Sequence, residues 1–204
     1  MKKTLFSLMV LICLAFELSP KSALAYYNRG IAWGSKGNYD QAISNYTKAI
    51  ELNPKYALAY YNRGNIWLDR SDYNQAISDY TKAIELNPKY ALAYNNRGIA
   101  WRNKGNHDQA ISDYTKAIEL NPKYALAYYN RGNIWLSRGD HNQAISDYTR
   151  AIELNSEDAP AYYNRGIAWR SKGNFDRACL DWKKACVLGF CEGLNLAIEK
   201  GRCM

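Results

Sequence analysis

The sequence predicts an all-α fold, an α-solenoid of five tandem helix pairs closed by a short C-terminal capping helix. Three observations predict it. Writing the 204 residues in rows of thirty-four stacks Arg29-Gly30, Arg63-Gly64, Arg97-Gly98, Arg131-Gly132 and Arg165-Gly166 in one column. Each row holds two apolar periodic segments separated by polar punctuation, as in Leu58 to Arg70 and Tyr73 to Leu86, the pattern of an antiparallel helix pair. One such pair cannot bury its apolar stripe alone, so Ile43 and Ile50 must pack on the first helix of the next row, and so on along the array.

The first 25 residues differ in kind. Lys2 and Lys3 precede an apolar run from Leu5 to Phe16, followed by Glu17, Ser19 and Pro20, and Ala23-Leu24-Ala25 offers a small-x-small cleavage site. Residues 1–25 are therefore expected to be a signal peptide, with a membrane anchor at residues 5–18 as the alternative. The run is shorter than the roughly 20 apolar residues of a membrane span. Cleavage removes three lysines and one glutamate, taking the formal charge from +8 to +6. The remaining cations alternate with acids around the helices, a solvated pattern and not a nucleic-acid stripe.

Five repeats follow over residues 26–188, with boundaries near 57, 91, 125 and 159. Trp33, Trp67, Trp101, Trp135 and Trp169 form a second column, Ala42, Ala76, Ala110, Ala144 and Ala178 a third, and Pro54, Pro88 and Pro122 a fourth. With Ala23 as position one, an aromatic stands at position four, glycine at eight and alanine at twenty and twenty-seven. These columns resemble the tetratricopeptide repeat, over residues 23 to about 188. Arginine at position seven departs from the family's leucine, and Ser156 and Phe190 replace the final proline.

Within each pair, Asn38 with Gln41, Asp72 with Gln75, Asn106 with Gln109 and Asp140 with Gln143 are spaced as capping boxes for the second helix. Gly37, Gly105, Gly139 and Gly173 stand where the first helix must stop in a left-handed conformation, and Ser71 breaks that rule. Gly30 and Ala42, with their equivalents, are read as places where two helix backbones approach closely. The arginines share their repeats with Asp79, Asp113, Asp147 and Asp181, against Asn45 in the first, which suggests an ion pair between the two helices; an anion-binding ladder is the alternative.

The four cysteines beyond residue 25 lie at Cys179, Cys186, Cys191 and Cys203. Cys179 and Cys186 occupy columns that would meet a sixth repeat, and residues 189–204 carry a short helical pattern that can cover that stripe. Folding back near Gly189 brings Cys186 to Cys191 and Cys179 to Cys203, the two disulfides expected. Cys179 and Cys186 are about 10 Å apart along one helix, beyond bonding reach. A zinc site and four free thiols stay open as alternatives.

The resemblance implies a concave groove lined by first helices, with positions two, five, nine, twelve and thirteen inward. Carried over, it supplies Tyr27, Tyr61, Asn95, Tyr129 and Tyr163 at position five, Asn65 and Asn133 at nine, and Arg102 and Arg170 at twelve; Asn62, Asn96 and Asn130 adjoin them at position six. Tyrosines with amides suit an extended peptide, although some tyrosines could instead pack between repeats. No lysine stands at positions two, five, nine or thirteen, which disfavours the carboxylate clamp of chaperone-tail-binding relatives.

No nucleophile elbow, phosphate loop or redox Cys-x-x-Cys appears, and His107 and His141 fall in the column of Tyr39, Tyr73 and Phe175 as packing residues. No enzyme activity, cofactor, metal or nucleic-acid partner is expected. The reading is a periplasmic or secreted scaffold for an unidentified protein or peptide. A self-assembling scaffold in the cell envelope, and hence a homo-oligomer, is the alternative.

Overall fold

The computed structural model of the chain describes residues 22–203, so the apolar run from Leu5 to Phe16 lies outside the described residues. Eleven helices and no strand are present among the described residues. They are α1 (Ala23–Gly34), α2 (Tyr39–Leu52), α3 (Ala57–Asp69), α4 (Tyr73–Leu86), α5 (Ala91–Asn103), α6 (His107–Leu120), α7 (Ala125–Ser137), α8 (His141–Leu154), α9 (Ala159–Ser171), α10 (Phe175–Val187) and α11 (Glu192–Glu199). The expected start of α3 at Leu58 moves to Ala57, and α4 has the expected bounds. The chain divides into two compact units, one ending at Ala100 and one beginning at Trp101, a boundary inside α5.

The same local chemistry builds each hairpin. The first helix stops at a left-handed residue: Gly37 has φ 76°, Gly105 81°, Gly139 81° and Gly173 78°, and Ser71 takes the conformation at φ 61°. The next residue donates its backbone N–H to the tryptophan carbonyl five positions back, as Asn38 does to Trp33 at 3.0 Å and Asp72 to Trp67 at 2.8 Å. That residue is also the N-cap of the second helix. Closing one helix while opening the other holds ψ between 63° and 73° at Asn38, Asp72, Asn106 and Asp140. The capping expectation holds in one case. Only Asp72 of these four bonds its helix, accepting from Gln75 N at 3.3 Å, whereas Asn38, Asn106 and Asp140 do not.

The small residues have a different cause from the one expected. Position eight is glycine because an aromatic ring at position twenty-four of the second helix lies on it, not because two backbones touch. A Cβ on Gly30 would stand 2.5 Å from the Tyr46 ring, on Gly64 2.9 Å from Tyr80, on Gly132 2.9 Å from Tyr148 and on Gly166 2.5 Å from Trp182. On its other side the ring meets position ten of the following first helix. In the first unit Tyr46 clusters with Ala42 and Ile66, and Tyr80 with Ala76 and Ala100. In the second, Tyr148 clusters with Ala144, Ile145 and Ala168.

At the C-terminal end α11 covers the last ring, through position one of the period and not through position ten. Gly193 stands thirty-four residues after Ala159, and a Cβ there would lie 2.6 Å from Trp182, whose ring is thus held between Gly166 and Gly193. Ala178, Trp182, Ala197 and Cys203 form the end cluster. The sulfurs of Cys179 and Cys203 come to bonding distance with Cα atoms 5.6 Å apart, as do those of Cys186 and Cys191 across the turn at Gly189. At the other end Ser22 Oγ accepts from Ala25 N at 3.1 Å, so α1 starts within the segment expected to be removed. Cleavage after Ala25 would take the cap and the first three residues of α1 with it.

A non-glycine residue in the left-handed region costs about 1 kcal/mol, and Ser71 replaces the glycine of every other hairpin turn described. Ser71→Gly should raise the unfolding free energy by about that amount in a urea titration.

Candidate functional site

On each first helix, positions two, five, six and nine follow the i, i+3, i+4, i+7 spacing of one face. Position two is an exposed leucine in four repeats: Leu24 and Leu58 at 42% and 44%, Leu92 and Leu126 at 45% and 46%. Beside them the tyrosines and asparagines are tied to one another. In the first unit Asn62 Nδ2 donates to Tyr27 Oη at 3.0 Å, and Asn96 Nδ2 donates to Tyr61 Oη at 3.1 Å and to Asn65 Oδ1 at 3.0 Å. Tyr80 Oη donates to the same Asn65 oxygen at 2.8 Å. In the second unit Asn164 Nδ2 repeats this with Tyr129 Oη at 3.3 Å and Asn133 Oδ1 at 3.0 Å, and Tyr148 Oη donates to Asn133 at 2.7 Å.

The rings are fixed as well. Tyr27 packs on Tyr46 and Tyr56 with centroids 5.9 and 4.8 Å away, Tyr61 on Tyr80 and Tyr90 at 5.9 and 4.8 Å, and Tyr129 on Tyr148 at 6.0 Å. Burial pushes the Tyr46 hydroxyl up to about 12, with Tyr27 adding to it, and raises that of Tyr61 against the opposing bonds of Asn65 and Asn96. These groups are neutral fixtures. Each tyrosine and amide is half-buried and anchored, with a leucine standing proud next to it.

Several expected site residues are placed differently. Asn95 is 0% and Asn130 5% exposed, so neither can meet a peptide; both are packed inside, and Asn95 Nδ2 donates to Asn96 Oδ1 at 3.0 Å. Arg102 lies half-buried in the second unit, where its charge acts on Tyr114. Tyr163 and Arg170 come together with residues of α10 and α11 around one cavity of about 470 Å³. The cap's share of that cavity was not legible, because it depends on how α11 turns back.

The arginine column is structural. Arg63 grips Asp79 through Nε and Nη2 at 2.8 and 2.7 Å while Nη1 reaches Thr47 of the preceding repeat at 2.8 Å. Arg131 does the same with Asp147 and Thr115, and Arg165 with Asp181 and Thr149. Arg97 reaches Thr81 at 3.0 Å. In the first repeat Arg29 Nε meets Asn45 Oδ1 at 3.4 Å and the guanidinium lies 4.2 Å from the Tyr26 ring centre. The threonine partner was missed in the sequence, although Thr47, Thr81, Thr115 and Thr149 form a visible column. Burial raises the carboxyl of Asp79 while Arg63 pulls it down. Among the described residues no group of His, Cys, Asp and Glu side chains could hold a metal ion.

A tetratricopeptide repeat model matches residues 23–56, 57–90, 91–124 and 125–158. The chain is 31% identical to the protein in a crystal structure of MamA, covering 81% of this chain and 91% of that one at a TM-score of 0.75. It is 25% identical to YrrB, described as a TPR protein with an unusual peptide-binding site, covering 92% and 97% at a TM-score of 0.74. PilF of Pseudomonas aeruginosa, 20% identical over 82% of this chain and 76% of that one at a TM-score of 0.74, shares the fold. None of the curated proteins matches the sequence.

The alternation of Asn65 and Asn133 with Ile31, Ile99 and Ile167 at position nine has an energetic counterpart. Tyr80 and Tyr148 have an acceptor, whereas the buried Tyr114 hydroxyl has no hydrogen-bond partner among the described residues. Tyr80→Phe should cost about 1 kcal/mol, and Tyr114→Phe should be neutral or stabilising, in parallel denaturant titrations.

Proposed function

The chain belongs to the tetratricopeptide repeat family, and we propose that it is an exported, non-catalytic scaffold that holds an extended peptide or protein segment on the faces of its first helices. The observation that carries this reading is the recurring exposed leucine beside anchored tyrosine and asparagine. Leucine offers apolar area, and the tyrosine and amide groups next to it are already ordered, so a ligand meets a surface that loses little entropy on binding. The likeness to YrrB, described as having a peptide-binding site, supports the same class of ligand.

Export rests on the Lys2, Lys3 and Leu5 to Phe16 pattern, together with the two cysteine pairs at bonding distance. No helix among the described residues is long and apolar enough to cross a membrane. In an oxidising compartment Cys179 bonds Cys203 and Cys186 bonds Cys191, locking the cap to the last repeat. The native exported protein should then show no thiol titre at these four positions until it is reduced; a full titre before reduction contradicts the oxidised cap.

The binding surface is tested by cross-linking in the native compartment, comparing the wild type with Leu58→Glu and Leu126→Glu. Both leucines are exposed enough for melting to shift little, within about 0.5 kcal/mol. Capture of the partner should fall in both variants. Undiminished capture moves the surface away from the first helices.

A further inference from the structure

We propose that the cavity enclosed by α9, α10 and α11 is a binding site for a carboxylate carried beside a large apolar side chain. The inference rests on the peptide-binding reading and gives that peptide a chemical end-point.

Two features of the cavity carry it. The first is charge. Arg170, Lys200 and Arg202 line the cavity and no acidic residue does. Elsewhere in the chain Arg63, Arg131 and Arg165 are gripped by buried aspartates. Arg170, Lys200 and Arg202 make no side-chain hydrogen bond or ion pair among the described residues, and the two arginines rest on aromatic rings: Arg202 lies 4.5 Å from the Phe175 ring centre and Arg170 5.9 Å from that of Trp182. Stacking of this kind orients a guanidinium while its N–H edge stays available to an anion. Glu192, in the first turn of α11, acts on Tyr163 without lining the cavity.

The second feature is a hydroxyl left without its usual partner. Tyr27, Tyr61 and Tyr129 each accept a bond from the position-six asparagine of the next repeat. The residue in that register after Tyr163 is Ile198, and among the described residues no side chain bonds the Tyr163 hydroxyl. A donor therefore lines the same cavity as the three cations. Trp182 cannot serve, because its indole N–H is committed to the Tyr163 carbonyl at 3.2 Å. Ile167, Trp182 and Ala197 supply apolar lining, and the volume of about 470 Å³ fits one or two residues. Cations and a hydroxyl beside an apolar, aromatic lining match a carboxylate attached to an apolar body and do not match a cation.

The test titrates the full chain, oxidised, with three probes: N-acetyl-Leu-Phe as the free acid, the same dipeptide as its C-terminal amide, and N-acetyl-Glu-Phe-amide. The free acid is expected to bind with Kd on the order of 0.1 mM and to shift the Trp182 indole N–H resonance. Loss of the carboxylate in the first amide should weaken binding about tenfold or more, the worth of charge-assisted hydrogen bonds. Tight binding of the glutamyl amide would identify an acidic side chain as the source of the carboxylate, and weak binding the chain terminus. Arg170→Gln and the double variant Lys200→Gln, Arg202→Gln should each remove the preference for the acid while melting with the wild type, and Lys48→Gln, in a solvent-exposed pair of the other unit, should not affect it. Equal binding of all three probes, or of none, overturns the site. Probe binding by the wild type together with native capture undiminished in Leu58→Glu and Leu126→Glu would retain the site and reject the longer peptide surface.

Discussion

The hairpins α1–α2, α3–α4, α7–α8 and α9–α10 each depend on an aromatic ring packed against a glycine. The ring at position twenty-four sits where a Cβ at position eight would have to be, and this sets how closely the two helices of a repeat approach. Its other side meets position ten of the following first helix, so one side chain spaces both the pair and the step to the next pair within each unit. Interiors of this density tolerate neither a gap nor an added methyl well. In the last repeat Trp182 replaces tyrosine, and the cap answers with a second glycine, Gly193, on the opposite side of the ring.

The polar groups that hydrophobic packing would strand are used to lock the same geometry. A guanidinium near a helix crossing has five donors to satisfy. Arg63, Arg131 and Arg165 spend two on a carboxylate within the repeat and one on a threonine of the repeat before. A bidentate pair with both partners largely buried fixes orientation more than it adds stability. By contrast, the pairs of Lys48 with Glu51, Lys82 with Glu85 and Arg150 with Glu153 lie in solvent and contribute little.

Much of this was legible because a repeat prints its contacts as columns. Arginine with aspartate sixteen residues on, glycine at the turn, and cysteines in the columns that face a missing neighbour all have one residue type for one physical demand. What could not be read depends on the angle between successive hairpins. The bond from Asn96 to Tyr61 spans 35 residues and needs both helices placed, and the burial of Asn95 and Asn130 follows from the same placement. The N-caps are absent at Asn38, Asn106 and Asp140 although Asp72 caps at a similar ψ, so the backbone leaves the choice to the side chain. The cavity beside the cap was hidden because two of its three cations, Lys200 and Arg202, come from a segment with no repeat to compare them with.

The cap at α11 is an abridged version of the element it terminates, entering in the register of a first helix and stopping after eight residues. Gene duplication or deletion in whole periods upstream would leave the closing segment seated on the same Trp182 and the same cysteines, so chain length is a freely adjustable quantity while the terminus is inherited unchanged.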